Sequence, residues 1–107
     1  MNGKEILADT NIILYLLKGN DTIKEMLHSK TVYLSFITEL ELIGFTKISQ
    51  EEERQINSLL SDCTIVSLSN QIKEAYRHIR KNYPLKLADA VIAAMAIALD
   101  LPLISAG

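Results

Sequence analysis

Short apolar runs and helically spaced apolar positions alternate along this chain. Glu5 to Ala8 reads as a short buried strand, and a helical segment follows from about Asn11 to Lys18, closed by Gly19. A second short helix is predicted over Thr22 to His28, with Asp21 near its cap. Thr31 to Ser35 is β-branched and aromatic, which suits a strand. Helical spacing returns from Ile37 to Ile48. The sequence Ser49-Gln50-Glu51-Glu52 is a capping box, so a helix is expected from there to about Leu60. Thr64 to Leu68 predicts a third strand, and Ser69 caps a helix running to about Lys81. That helix ends at Tyr83-Pro84, because proline disfavours the α conformation in the residue before it. Leu87 to Leu99 is the next helix, and Leu101 to Ser105 the fourth strand. Strands alternating with helices argue for a parallel sheet covered on both faces, with ligands bound outside the carboxyl ends of the strands.

Composition narrows the class. The chain has 107 residues, 49% apolar and 22% charged, which excludes disordered and fibrous readings and supports one domain over 1–107. Eleven Lys and Arg against thirteen Asp and Glu give a net charge of −2, so any contact with a polyanion must be local. Cys63 is the single cysteine and cannot form an intramolecular disulfide, which fits a reducing compartment. No run reaches the about 20 apolar residues that a membrane span needs, and Lys4, Glu5 and Asp9 interrupt the first apolar stretch. A cytoplasmic protein without membrane contact is expected.

Three places could carry chemistry. Asp9 stands between an apolar strand and an apolar helix, where it can serve a ligand or simply cap the helix, and Thr10 and Asn11 beside it can orient a group or stabilise the turn. Asp89 is the one residue between Leu87 and Leu99 that is not apolar. That helix should be largely buried, and a carboxylate taken inside costs on the order of several kcal/mol unless backbone donors, a helix start or a cation compensates. Glu39 and Glu41 lie among apolar neighbours after the second strand and point to nearly opposite faces, while Thr38 and Glu41 share one. Neither His28 nor His78 belongs to a nucleophile constellation, and there is no glycine loop to cradle a phosphate.

The stretches Leu7-Ala8-Asp9-Thr10-Asn11, Thr38-x-x-Glu41-Leu42 and Leu87-Ala88-Asp89-Ala90-Val91-Ile92-Ala93-Ala94, followed by Leu101-Pro102-Leu103-Ile104-Ser105, resemble the PIN domain. The likeness is to the VapC-like ribonuclease toxins of bacterial toxin–antitoxin pairs. It runs from residue 5 to residue 105 and implies a three-layer α/β/α sandwich around a parallel sheet. It also implies acids converging on Mg²⁺ or Mn²⁺ to cleave RNA, an antitoxin partner and a homodimer. Carried over by position, Asp9, Glu41 and Asp89 become the acids, with Glu39 in reserve for Glu41. Thr10, Asn11, Thr38 and Ser105 become supporting polar residues. The family's fourth acidic position falls just after the strand holding Ser105, where this sequence stops at Gly107, so the resemblance implies a domain lacking its usual C-terminal end.

Three carboxylates can still hold a hard cation, with water completing its shell. Five of the eleven basic residues, Lys73, Arg77, Arg80, Lys81 and Lys86, lie between 73 and 86, opposed only by Glu74. This stripe, Arg77, Arg80, Lys81 and Lys86 above all, could lead RNA phosphates toward Asp89, or could be a solvated helix face. Two other readings stay open. The fold could be kept for interaction alone, or Asp9 could be a phospho-acceptor, although the phosphatase pattern wants an aspartate where Asn11 stands.

Overall fold

The computed structural model of the chain describes residues 4–106, so the expectation attached to Gly107 falls outside the described residues. In chain order the elements are β1 (Glu5–Ala8), α1 (Thr10–Leu17), α2 (Asp21–Leu27), β2 (Thr31–Ser35), α3 (Phe36–Ile43), α4 (Gln50–Asp62), β3 (Thr64–Val66), α5 (Asn70–Asn82), α6 (Leu87–Leu99) and β4 (Leu103–Ile104). The strands form one four-stranded sheet in the order β3-β2-β1-β4, and every pairing is parallel.

Strand alternation divides the core into two. Ile6 and Ala8 of β1, Leu34 of β2 and Ile65 of β3 pack with Ile12, Ile13, Ile23, Leu27 and Ile56 from α1, α2 and α4. Leu7, Tyr33 and Val66 face the other way, onto Ile72 and Ile79 of α5 and Ala90, Val91, Ile92, Ala94 and Met95 of α6. Helix α3 bridges the layers at the sheet's end, giving Leu42 to the first cluster and Phe36 and Ile37 to the second. The result is the expected α/β/α sandwich around a parallel sheet.

The order of the strands also locates a crevice. β1 is central, with β2 on one side and β4 on the other, so the chain winds one way through β2 and β3 and then crosses over to β4. The crevice at the carboxyl ends, where the winding reverses, is the usual ligand position in such sheets. Asp9 follows β1 directly at that point.

Several elements differ from the sequence pattern. The helix expected over 37–48 stops at Ile43, because Gly44 ends it and Phe45 to Ser49 leave the helical path. An added Cβ on Gly44 would lie 2.9 Å from the Leu40 carbonyl oxygen, too close for an ordinary side chain. Helix α2 is capped by Asn20, whose side chain accepts from the Ile23 amide, and Asp21 is its first residue. β3 and β4 are shorter than the apolar runs that contain them, and β4 keeps only Leu103 and Ile104.

Helix α6 has the expected bounds, but it is buried along one side only. Leu87 is 59% and Ile97 64% exposed, and Asp89 is exposed as well. Asp89 is therefore not a desolvated carboxylate. It sits in the first turn of α6, where the helix dipole favours an anion.

Candidate functional site

A cleft of ≈ 260 Å³ opens at the carboxyl ends of the strands. Asp9, Thr10 and Asn11 from the start of α1, Glu41 from α3 and Asp89 from α6 line it, with Leu14, Phe45, Ala88 and Ile92 as its apolar wall. Three acids separated by 32 and 48 positions in the sequence thus border one hollow, and no lysine or arginine lines it.

Each acid is held differently. Asp9 is the N-cap of α1, and its Oδ1 accepts a hydrogen bond from the Ile12 amide at 2.9 Å. The capping reading of Asp9 and its place in the cleft therefore hold together, since one carboxylate oxygen caps the helix and the other has no hydrogen-bond partner among the described residues. The Asp9 amide also donates to the Ile104 carbonyl oxygen at 3.0 Å, which ties the β1–α1 junction to β4.

Glu41 Oε1 accepts from the Thr10 hydroxyl at 2.7 Å, and Thr10 Oγ1 lies 2.9 Å from the buried Thr38 hydroxyl oxygen. The shared face of Thr38 and Glu41, three positions apart on α3, lets Thr10 reach both. Glu39 is half-buried elsewhere on α3 and does not line the cleft. Asp89 has no hydrogen-bond partner among the described residues. Its carboxylate is presented by the backbone of α6, whose N-cap residue Lys86 makes no side-chain cap bond.

Among the described residues, no three His, Cys, Asp or Glu side chains stand close enough together to form a metal-holding group. The carboxylates border the cleft without converging on one point. In kind, the donors suit a hard cation, being carboxylate oxygens with free lone pairs. Mg²⁺ takes one or two carboxylates and keeps several waters, so convergence of all three is not a condition of binding.

The remaining expected residues lie around the cleft. Asn11 Nδ2 donates to the Ala106 carbonyl oxygen at 3.4 Å, a long contact that links α1 to the segment after β4. Ser105, in that segment, is exposed and does not line the cleft. None of the basic stripe lines it either. Arg77 pairs with Glu74 at 3.6 Å in solvent, while Arg80 donates to the Leu85 carbonyl oxygen and lies 6.0 Å from the centre of the Tyr76 ring. Arg80 is thereby committed to holding the α5–α6 turn, whereas Lys81 and Lys86 are exposed.

Phe45 is a cleft residue that sequence reasoning missed, because the helix was extended through it. The signal was Gly44 directly after an apolar helical run, a stop that returns the next residue toward the fold. A groove of ≈ 360 Å³ along α2, lined by Asp21, Lys24, Glu25 and His28, is larger. Its groups all come from one short helix and its end, with no second element to fix a ligand. No helix among the described residues is long and apolar enough to cross a membrane.

Comparison with known proteins gives a consistent result. A family profile described as the PIN domain matches residues 6–107. The chain is similar to a structure titled as a toxin–antitoxin complex from Klebsiella pneumoniae, with 33% identity and a TM-score of 0.82 over 95% of this chain and 86% of that one. It is also similar to VapBC-1 from nontypeable Haemophilus influenzae, with 27% identity and a TM-score of 0.73 over 94% and 85% of the two chains. VapBC2 from Rickettsia felis, solved with a DNA fragment from its promoter, shares the fold at 23% identity and a TM-score of 0.85 over 96% and 88%. No curated protein matches the chain. With a profile that spans all but its first few residues and a fold shared with toxin–antitoxin structures, the chain belongs to the PIN domain family as a VapC-like member.

Proposed function

We propose that this protein is a metal-dependent ribonuclease that hydrolyses RNA phosphodiester bonds, and that it is the toxin of a toxin–antitoxin pair. The observation that carries the reading is the cleft at the strand ends, bordered by Asp9, Glu41 and Asp89 from three separate stretches of chain. The likeness to toxin–antitoxin structures supports the partner. In this reading Asp9, Glu41 and Asp89 are the catalytic carboxylates and would hold Mg²⁺ or Mn²⁺, with water completing the shell. When bound, such an ion lowers the pKa of water and offsets the charge of the phosphate.

The chain's own residues supply the geometry. Asp9 is fixed by its cap on α1, which holds a cleft-lining carboxylate on a rigid element. Glu41 is oriented by Thr10, with Thr38 behind it. Asp89 is carried on the first turn of α6, whose dipole stabilises its charge. Asn11 braces the site from the β4 side through its bond to the Ala106 carbonyl oxygen. Leu14, Phe45 and Ile92 exclude water from one wall and leave the polar side open to a phosphodiester.

Because the cleft is acidic, an RNA strand needs positive charge outside it. Lys86, three residues before Asp89, supplies the nearest in sequence, with Lys81 and Arg77 farther along the path; Arg80 acts through the turn it holds. The protein works in the cytoplasm beside its antitoxin, as a homodimer. Exposed Leu40 and Ile43 on α3 and Leu87 and Ile97 on α6 offer apolar area for such contacts, and α3 packs against α6. The test is incubation of purified protein with single-stranded RNA and Mn²⁺: cleavage that chelation abolishes supports the reading, and intact RNA at all metal concentrations refutes it.

One observation favours a second reading, a PIN fold kept for interaction alone. No three acidic side chains form a metal-holding group among the described residues. Isothermal titration in which Mn²⁺ produces no binding heat would carry that reading over the first.

A further inference from the structure

The hydroxyl of Thr38 is buried completely, and its single partner among the described residues is Thr10 Oγ1 at 2.9 Å. Position alone does not say which hydroxyl donates, but proton counting does. A threonine hydroxyl has one hydrogen, and a carboxylate only accepts. Thr10 spends its hydrogen on Glu41 Oε1 at 2.7 Å. The hydrogen between the two threonines must therefore come from Thr38, which is closed to solvent and has no other acceptor among the described residues.

We propose that Thr38 is a positioning residue, and that its buried hydroxyl heads a one-way chain, Thr38 to Thr10 to Glu41, which holds the Glu41 carboxylate at the cleft. This rests on the reading of Glu41 as a carboxylate that serves a cation. Glu41 is exposed, and an exposed glutamate ordinarily samples several rotamers, which must be frozen when a ligand binds. Thr10 supplies one anchor, but a half-exposed hydroxyl can rotate toward solvent. The donation from Thr38 fills a lone pair of Thr10 and fixes its remaining hydrogen toward Glu41. Thr38 itself is held in place because its side chain is fully packed. The arrangement leaves Glu41 Oε2 without a hydrogen-bond partner among the described residues.

The test uses the whole chain with Thr38→Val, which keeps the shape and removes the hydroxyl, and Thr38→Ser, which keeps the hydroxyl and removes a methyl. Mn²⁺ affinity is measured by isothermal titration, and the Glu41 carboxyl ¹³C resonance is followed in the metal-free protein. Thr38→Val should weaken Mn²⁺ binding about tenfold, as loss of an outer-shell partner does, and should shift or broaden the Glu41 resonance; Thr38→Ser should restore both. Thr10→Val should match Thr38→Val, and it carries the test should Thr38→Val not fold; the double variant should be no worse than either single one. Wild-type affinity and an unmoved resonance in Thr38→Val would overturn the proposal. So would a Thr38→Ser variant as impaired as Thr38→Val, since the methyl and not the hydroxyl would then matter. If the wild-type protein takes up no Mn²⁺, the metal reading fails separately and the resonance alone decides.

Discussion

The Asp9 carboxylate lies 2.9 Å from the Ile12 amide, so the acid expected to serve a ligand is also the residue that starts α1. The two roles use different oxygens, and they separate by substitution. Asparagine keeps a capping oxygen, whereas alanine keeps none. Asp9→Ala should lower stability by about 1 kcal/mol, read as a reduced denaturant midpoint, while Asp9→Asn should stay within a few tenths of wild type. Equal losses in the two variants would mean that the cap contributes little.

The capping box at Ser49 and Glu52 should show itself in pH. Glu52 accepts from the Ser49 amide, and Ser49 Oγ accepts from the Glu52 amide. The bond from the Ser49 amide is the first cause, and the Ser49 side chain the second, that hold the Glu52 carboxyl below its ordinary value of 4.5. A carboxyl with a depressed folded pKa contributes stability that is complete above the unfolded value and is lost as pH falls through the folded one. Glu52→Ala, which removes the carboxyl itself, should therefore lower stability near neutrality, with a smaller deficit below pH 4. Denaturant unfolding at both pH values would check this, and a constant deficit would contradict it.

How far the sequence revealed these features depends on where the deciding forces act. The Ser49 box and the α6 boundaries were legible because capping and apolar spacing are local. The end of α3 was not, since periodicity from Ile37 to Ile48 outweighed the stop at Gly44, and Phe45 was lost with it. The burial of α6 was overestimated for the same reason. An almost wholly apolar helix reads as buried all round, yet only the side facing the sheet, α3 and α5 is covered. Asp9, Glu41 and Asp89 could be picked out singly, but their meeting in one cleft depends on the order β3-β2-β1-β4, which no local pattern encodes. The bond from Thr10 to Glu41 spans 31 positions and was equally out of reach, although the shared face of Thr38 and Glu41 pointed toward it.

Cys63 closes α4 and is half-buried. Burial first, and the neighbouring Asp62 charge second, push its thiol up to about 11. Only the thiolate reacts, so alkylation of the folded protein at pH 8 should be roughly a hundredfold slower than that of the unfolded chain. Comparable rates with and without denaturant would show that the thiol is neither shielded nor shifted.

A cation held at the cleft should stabilise the fold, since it binds the native arrangement and not the unfolded chain. At a metal concentration about 100 times the dissociation constant the gain is about 2.7 kcal/mol. For a domain of this size that corresponds to a rise in Tm of roughly 10 °C. Glu41→Gln should remove much of the rise. A melting temperature unmoved by Mn²⁺ in the wild-type protein would argue that no specific site exists.

The most direct measurement compares RNA cleavage by the wild-type protein, Asp9→Asn and Asp89→Asn, each at the same Mn²⁺ concentration and each shown to be folded by circular dichroism. Cleavage by the wild type and a loss of about a hundredfold or more in both variants is the expected result, since removal of a direct ligand should cost at least what an outer-shell loss does. Equal cleavage by all three proteins would contradict the account, because the activity would then not depend on the acids that border the cleft.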